Sequence, residues 1–177
     1  MSQVRIEEAY RDYTPPIEMT VIIRKLLGTV PDKYLQDLDC VVLTNEASLS
    51  RNDRVGKVWT RKRKFKKSRI LSRYRGGSRD SRPCIELRVD RIIEGLQGTP
   101  LRIPFLREIG FGHVLFHEIG HHIHRTVRPE HKEKEDVADS WSRKLNANYV
   151  RKKYWYARAI LGPAFKIYKL LRRKEWI

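Results

Sequence analysis

The run His117-Glu118-Ile119-Gly120-His121 constrains this chain more than any other feature of its sequence. It lies within a helical pattern that extends from about Phe105 to Arg125. On a helix, residues four apart project from the same side, so His117 and His121 are spaced to bind one metal ion together. We therefore expect this helix to carry an imidazole pair on one side and apolar residues on the other.

The residues around this pair suggest the remaining parts of a catalytic zinc site. Glu118 is placed to polarise a metal-bound water rather than to coordinate, and zinc lowers the pKa of such a water toward ~7. Catalytic zinc sites use three protein ligands and keep one position for water. Glu135 is our candidate for the third Zn²⁺ ligand. Asp139, on the same helix face as Glu135 and the small Ala138, can accept the free ring N–H of a zinc-bound histidine.

The combination of His117-Glu118-x-x-His121 with Glu135-x-x-Ala138-Asp139 resembles the gluzincin signature of zinc metallopeptidases. Its second half is similar to that of Ste24/HtpX-type membrane peptidases, and thermolysin-like enzymes have a Glu and an Asp at the same spacing. This chain lacks the transmembrane helices of the former and the length of the latter. Its layout is closer to minimal gluzincins such as the ImmA/IrrE-like peptidases. The resemblance covers roughly residues 85–142.

The resemblance implies an α+β, zincin-like fold: a small, mostly antiparallel or mixed sheet packed on the HExxH helix, with further helices C-terminal. It implies hydrolysis of peptide bonds in a protein or peptide substrate, with Glu118 as the catalytic base. In such peptidases the substrate lies extended along an edge strand beside the HExxH helix. The resemblance would put Ile85 to Asp90 near that cleft.

Several other residues compete for roles in the site. The third histidine of a metzincin is excluded because position 127 is Val. His131 is an alternative third ligand, as in SprT-like proteases, and Glu133 and Asp136 are weaker alternatives.

We expect the other histidines near the site to pack or to lie on the surface: His113, His122 and His124. The candidates for stabilising the oxyanion are Tyr149, Tyr154, Tyr156 and His131, although each is better explained as a packing or surface residue.

Patterns of apolar residues predict the other elements. Helices are expected from Pro15 to Leu27, over Asp32–Leu38 and over about Glu133–Tyr149, and Gly95 to Pro104 is expected to be a loop. Strands are expected at Cys40–Thr44, Lys57–Phe65, Arg69–Arg75 and Cys84–Asp90, the last with the clearest alternation. We divide the chain into a minimal zincin domain, residues 1–150, and a basic helical extension, residues 151–177.

The net charge of +17 is concentrated in two segments. Residues 51–82 hold 14 Lys/Arg and two Asp, a net +12, and residues 143–177 hold 11 Lys/Arg and one Glu, a net +10. The first segment suggests non-specific nucleic-acid binding through Arg61–Arg75. The alternative function is therefore a basic, nucleic-acid-associated binding protein with a structural or vestigial zinc site, or a SprT-like protease acting on nucleic-acid-bound proteins.

Other classes are disfavoured by the sequence. No stretch is apolar enough for a transmembrane segment, and the N-terminus lacks the apolar core of a signal peptide, so we expect a cytoplasmic protein. The basic tail can also lie on an anionic membrane surface, but we favour a helix packed on the domain. Cys40 and Cys84 are too few for a disulfide framework or a thiolate zinc site, and we expect two buried thiols.

Overall fold

A computed structural model describes residues 4–49, 57–59, 64–66, 70–77, 81–96, 98–128 and 134–155. The strands are β1 (Arg5–Ala9), β2 (Cys40–Thr44), β3 (Lys57–Trp59), β4 (Lys64–Lys66), β5 (Ser72–Arg75) and β6 (Cys84–Arg88). The α-helices are α1 (Met19–Leu27), α2 (Val89–Gly95), α3 (Thr99–Arg102), α4 (Pro104–His122) and α5 (Lys134–Lys153). Short 3-10 turns cover Asp32–Tyr34 and Glu46–Ser48, and a π-helical turn, Ile123–Val127, extends α4.

The main sheet has four strands in the order β1-β2-β6-β5. β1, β2 and β6 are parallel, whereas β5 pairs with β6 in the antiparallel direction. β3 and β4 form a separate antiparallel pair. The chain is therefore α+β with a mixed sheet, as the sequence predicted in general class. The antiparallel strand β5 lies at one edge of the sheet, and α4 packs against it.

The core forms where α1, α4 and α5 meet each other and the sheet. In α1, apolar residues recur at spacings of three and four, which buries one side of the helix, and the helix ends at Gly28, whose N–H bonds to the Arg24 carbonyl. β2 and β6 lie inside the sheet; β2 is apolar from Cys40 to Leu43, whereas β6 buries Ile85 and Leu87 and leaves Cys84 and Glu86 only partly buried. The largest fully buried side chains are Tyr149, Phe111, Phe116, Met19, Ile23, Leu26, Leu43, Ile85, Leu87, Leu115, Ile119 and Ile123.

Several predicted boundaries were wrong. The strand predicted over Cys84–Asp90 ends at Arg88, because Val89 begins α2 and there continues the apolar pattern as a helix. The loop predicted around Gly95 and Pro100 contains α3. β1 was missed because its charged sequence, Arg-Ile-Glu-Glu-Ala, shows no apolar alternation.

Other predicted elements agree with the structure, or fall on residues that the structure does not describe. β2 has the predicted bounds, and α1, α4 and α5 lie where helices were expected. The strand predicted over Lys57–Phe65 is replaced by the two strands β3 and β4. Of the extension predicted over residues 151–177, only residues 151–155 are described by the structure. Among the helices of the described ranges, none combines the length and apolar character needed to cross a bilayer.

A buried carboxylate ties the N-terminal half of α4 to the end of α5. Glu108 accepts hydrogen bonds from the hydroxyls of Tyr149, at 2.6 Å, and Tyr154, and the Lys25 ammonium lies 3.6 Å away. Burial alone would raise the pKa of Glu108, but these hydroxyls and this ammonium hold it below its ordinary value. The carboxylate therefore stays ionised and fixes the two helices against each other.

The other end of α4 crosses α5 at very short range. A Cβ atom at Gly120 would lie 2.7 Å from Ala138 Cα and 2.8 Å from the Ala138 carbonyl oxygen. Only the absence of a side chain at position 120 and the small, fully buried one at position 138 permit this approach. The crossing lies between His117 and His121 on α4 and between Glu135 and Asp139 on α5.

Replacing Gly120 with alanine tests this close approach. We expect Gly120→Ala to lower the free energy of unfolding by about 1–3 kcal/mol, because its methyl group would meet rigid backbone. The matched control is Gly95→Ala in α2, where an added Cβ has no atom within 4 Å; there we expect unchanged or higher stability. Urea unfolding of both variants makes the comparison. Equal stability for Gly120→Ala and the wild type would contradict the close crossing.

Candidate metal centre

His117 and His121 lie on successive turns of α4 and expose their rings on the same side of the helix. The ring centroids are 4.8 Å apart, and the rings meet edge to face. Their side chains are partly buried, with 24% of His117 and 18% of His121 exposed. Burial lowers the pKa of His121, against the opposing effect of the Glu135 carboxylate. The His121 ring is therefore favoured in its neutral form, which is the form that binds metal.

Glu135 faces the histidine pair from the first turn of α5. Its Oε2 lies 3.4 Å from His117 Nε2, and its Oε1 lies 3.7 Å from His121 Nε2. One ligand atom from each of the three residues falls within 4.8 Å of the other two. The Gly120–Ala138 crossing explains this proximity, because it brings the two helices together between the ligand positions.

Asp139 contacts the side of His117 that faces away from Glu135. Its Oδ1 lies 3.0 Å from His117 Nδ1, so the ring donates its Nδ1–H to the carboxylate. This hydrogen bond leaves the Nε2 lone pair directed toward the space shared with Glu135. A carboxylate on the far nitrogen of a metal-binding histidine fixes the ring tautomer and raises its basicity as a ligand.

The donor set fits zinc. Two imidazole nitrogens and one carboxylate oxygen are ligand types that Zn²⁺ accepts, and a set of three leaves one position of a tetrahedron for water or substrate. The side chain of Glu135 is 59% exposed, so the site opens to solvent on that side. Neither thiol of the chain belongs to this group of ligand atoms. The assignment of His117, His121 and Glu135 as ligands remains a prediction.

Glu118 is buried beside this cluster, on the part of α4 that contacts the sheet. Its Oε1 accepts a hydrogen bond of 2.6 Å from the Ser72 hydroxyl of β5, and the Tyr74 backbone supplies another. Burial raises the pKa of Glu118, although these hydrogen bonds and the nearby His117 partly offset the effect. The carboxylate is therefore held in one orientation and is more basic than an exposed glutamate.

The edge strand β5 is fixed to α4 at a second point, one helical turn further on. The Tyr74 hydroxyl donates to His122 Nδ1 at 3.0 Å, and His122 Nε2 donates to the Gln36 carbonyl at 2.8 Å. His122 is fully buried, and burial lowers its pKa, which favours the neutral ring. Ser72 and Tyr74 thus contact Glu118 and His122, and the strand runs alongside the helix that carries the candidate site.

The strand predicted to lie beside the cleft was the wrong one. The Ile85–Asp90 segment was expected at the edge, but β6 lies inside the sheet between β2 and β5. Its clear apolar alternation reflects burial of Ile85 and Leu87 in the core. β5 forms the edge instead, and its sequence, Ser-Arg-Tyr-Arg, carries little apolar signal. Ser72 and Tyr74 were therefore missed as site residues.

The other residues considered for the site lie elsewhere in the structure or are not among the described residues. His113 is exposed one turn before His117, is bonded to Ser142, and contributes no atom to the cluster. Tyr149 and Tyr154 bind Glu108, which lies nine residues, or about 13 Å along the helix, before His117. The prediction that these two tyrosines pack in the fold is confirmed.

Asp136 is exposed and lies outside the cluster, and His124 is half-buried. His131, Glu133 and Tyr156 are not among the described residues.

No protein-family model, curated protein or solved structure matches this chain.

Metal content is the first property that the geometry predicts. We expect the wild type to bind about one zinc per chain, and His121→Ala and Glu135→Ala to lose it, because two ligands hold zinc far more weakly than three. The matched control is His113→Ala, on the same helix and outside the cluster, which should keep its zinc. Plasma mass spectrometry after gel filtration makes the measurement. Zinc retained by Glu135→Ala would refute this third ligand.

Asp139 is expected to affect affinity rather than stoichiometry. Asp139→Asn should weaken zinc binding about 10- to 100-fold, because the neutral amide no longer polarises the His117 ring. Competition with a chromogenic chelator measures the dissociation constant. Asp136→Asn, which alters an exposed acid on the same helix turn outside the cluster, is the control. Equal affinities of the two variants would show that the Asp139 contact does not support the metal.

Proposed function

We propose that this chain is a zinc-dependent metallopeptidase of the gluzincin type, with a zincin-like fold. The observation that carries the proposal is the convergence of His117, His121 and Glu135 within 4.8 Å, with Glu118 buried next to them. A structural histidine pair would not require an acid from another helix to face it, or a second acid on the far ring nitrogen. The arrangement has the composition that metal-assisted hydrolysis requires.

Each residue has a distinct task in this mechanism. Zinc, when held by the three ligands, supplies Lewis acidity toward a substrate carbonyl and toward water. Glu118 accepts a proton from the attacking water and passes it to the leaving amine. Its burial favours this role, because a raised pKa makes the carboxylate a better base. Ser72 and Tyr74 hold the Glu118 side chain in place, so little reorientation is needed during proton transfer.

The edge of β5 supports an extended peptide as the substrate. Arg88 N–H bonds to the Leu71 carbonyl, which makes residues 71 and 88 a hydrogen-bonded antiparallel pair. Because such pairs alternate with non-bonded ones, the backbone groups of Ser72 and Tyr74 point away from β6. The Tyr74 N–H is taken by Glu118, so a peptide added along this side would pair with the other outward backbone groups of Ser72 and Tyr74, close to Glu118.

The excess of positive charge favours a second candidate, in which the chain binds nucleic acid and its zinc site is structural or acts on proteins held there. The net charge of +17 is the observation in its favour. Residues 61–63 and 67–69 of the Arg61–Arg75 segment lie outside the described residues, so the candidate rests on the charge of the sequence. A strong fall of DNA affinity with salt, without proteolysis by the zinc-loaded chain, would favour it over the peptidase.

Glu118→Gln separates metal binding from turnover. The amide keeps the size of the side chain but accepts no proton, so we expect zinc content to be unchanged and cleavage to fall about 10²- to 10⁴-fold. The zinc-loaded wild type and variant are incubated with a peptide library derived from a proteome, and new termini are quantified by mass spectrometry. Glu94→Gln, an exposed change on α2, is the control and should cleave as the wild type does.

The outcomes of this experiment have separate meanings. Cleavage by Glu118→Gln at the wild-type rate would contradict its role as the base. Cleavage lost in the Glu94→Gln control as well would point to general damage and not to the chemistry. If the zinc-loaded wild type cleaves none of the peptides, hydrolysis of extended peptides is refuted.

A further inference from the structure

Cys40 and Cys84 are brought side by side by the sheet, although 44 residues separate them in sequence. They are direct partners in the parallel register of β2 and β6, each at the first residue of its strand. Neighbouring strands lie about 4.8 Å apart, which is within the Cα separation that a disulfide bridges. The two sulfur atoms are 2.6 Å apart and so point toward each other.

The two thiols differ in their access to solvent. Cys40 is buried, whereas Cys84 is only partly buried, next to the exposed Arg82 at the sheet margin. Burial is the main cause that raises the pKa of Cys40 to about 12. An oxidant in solution would therefore meet Cys84 first, with Cys40 placed directly behind it. An accessible thiol with a second thiol within reach is the arrangement that forms a disulfide.

Asp39 lies close enough to the two thiols for the three residues to form a metal site, but the contacts of its carboxylate argue against one. Its carboxylate pairs with Arg5 Nη2 at 2.6 Å, and Arg82 Nη1 lies 3.8 Å away. Two guanidinium groups already pair with this carboxylate, and their positive charge repels a metal cation. Two zinc–sulfur bonds of about 2.3 Å at a tetrahedral angle would also hold the sulfurs about 3.8 Å apart, further than they lie here.

We infer that Cys40 and Cys84 are a reversible redox modification site, which a small-molecule disulfide or a peroxide converts to an intramolecular disulfide between β2 and β6. With a disulfide oxidant, the Cys84 thiolate attacks one oxidant sulfur and releases the other half as a thiol. The Cys40 sulfur loses its proton and attacks the mixed disulfide at Cys84, which releases the second half. Overall the two cysteines lose two electrons and two protons, and the oxidant is reduced to two thiols.

The bond would close a loop that contains the edge strand. Residues 40–84 include β3, β4 and β5, and β5 carries the two residues that hold Glu118. A link across this loop stabilises the fold mainly by restricting the unfolded chain. Oxidation would thus strengthen the part of the sheet on which the edge strand depends. Cys40 and Cys84 are paired by the register of β2 and β6, so the proposed disulfide does not depend on whether the chain is a peptidase.

Intact mass after controlled oxidation tests the inference. The full chain is reduced, freed of reductant and metal, treated with oxidised glutathione, denatured and alkylated with N-ethylmaleimide. We expect a mass lower than that of the reduced chain by two hydrogen atoms, with no glutathione or maleimide adduct, and reversal by dithiothreitol. The melting temperature of the oxidised chain should rise by about 10 °C.

Two serine variants provide the controls. Cys40→Ser should take up one glutathione at Cys84, whereas Cys84→Ser should take up none in the native state, because Cys40 is buried. Two glutathione adducts, or two maleimide adducts, on the oxidised wild type would overturn the inference. So would a zinc ion that persists in His121→Ala, blocks oxidation and is lost when either cysteine is replaced. That result would identify a thiolate metal site instead.

Discussion

The contact between Gly120 and Ala138 is the constraint on which the candidate site depends. The histidine pair belongs to one helix and its two acidic partners belong to the next, so the site exists only if the helices approach closely. With a larger residue at either position, the helices would separate and Glu135 would move away from the His117 and His121 nitrogens. The same short distance also lets Asp139 reach the far nitrogen of His117. One contact thus sets both the helix packing and the geometry of the proposed metal site.

A second set of contacts connects the sheet to the chemistry. The edge strand does not contribute a ligand, but Ser72 and Tyr74 hold Glu118 and His122 on successive turns of α4. Glu118 is consequently buried and oriented, whereas the ligand residues remain open to solvent on the Glu135 side. In the proposed mechanism, a buried base next to an accessible metal is compatible with a substrate that enters from the strand edge. The Glu108 network, at the other end of α4, fixes the helix without taking part in the site.

The sequence predicted the candidate ligands better than the strands around them. The helical spacing of His117 and His121, and of Glu135 and Asp139, is a local property that can be read directly from the chain. Their meeting depends on packing between two helices at Gly120 and Ala138, which the helical spacing alone does not predict. β1 was missed because its neighbours in the sheet, and not its own residues, make it a strand. The strand that contains Ser72 and Tyr74 was predicted, but its place at the sheet edge beside Glu118 was not, and the pairing of Cys40 with Cys84 depends on a register that no local pattern reveals.

X-ray absorption at the zinc edge of the zinc-loaded wild type identifies the atoms around the metal and so tests the proposed zinc centre. We expect two imidazole nitrogens and one or two further oxygen ligands at about 2.0–2.2 Å from the zinc, with no sulfur bound to it. A sulfur ligand at about 2.3 Å would place the metal at Cys40 and Cys84 instead. A first shell of oxygen alone, without imidazole, would also contradict a centre built on His117 and His121.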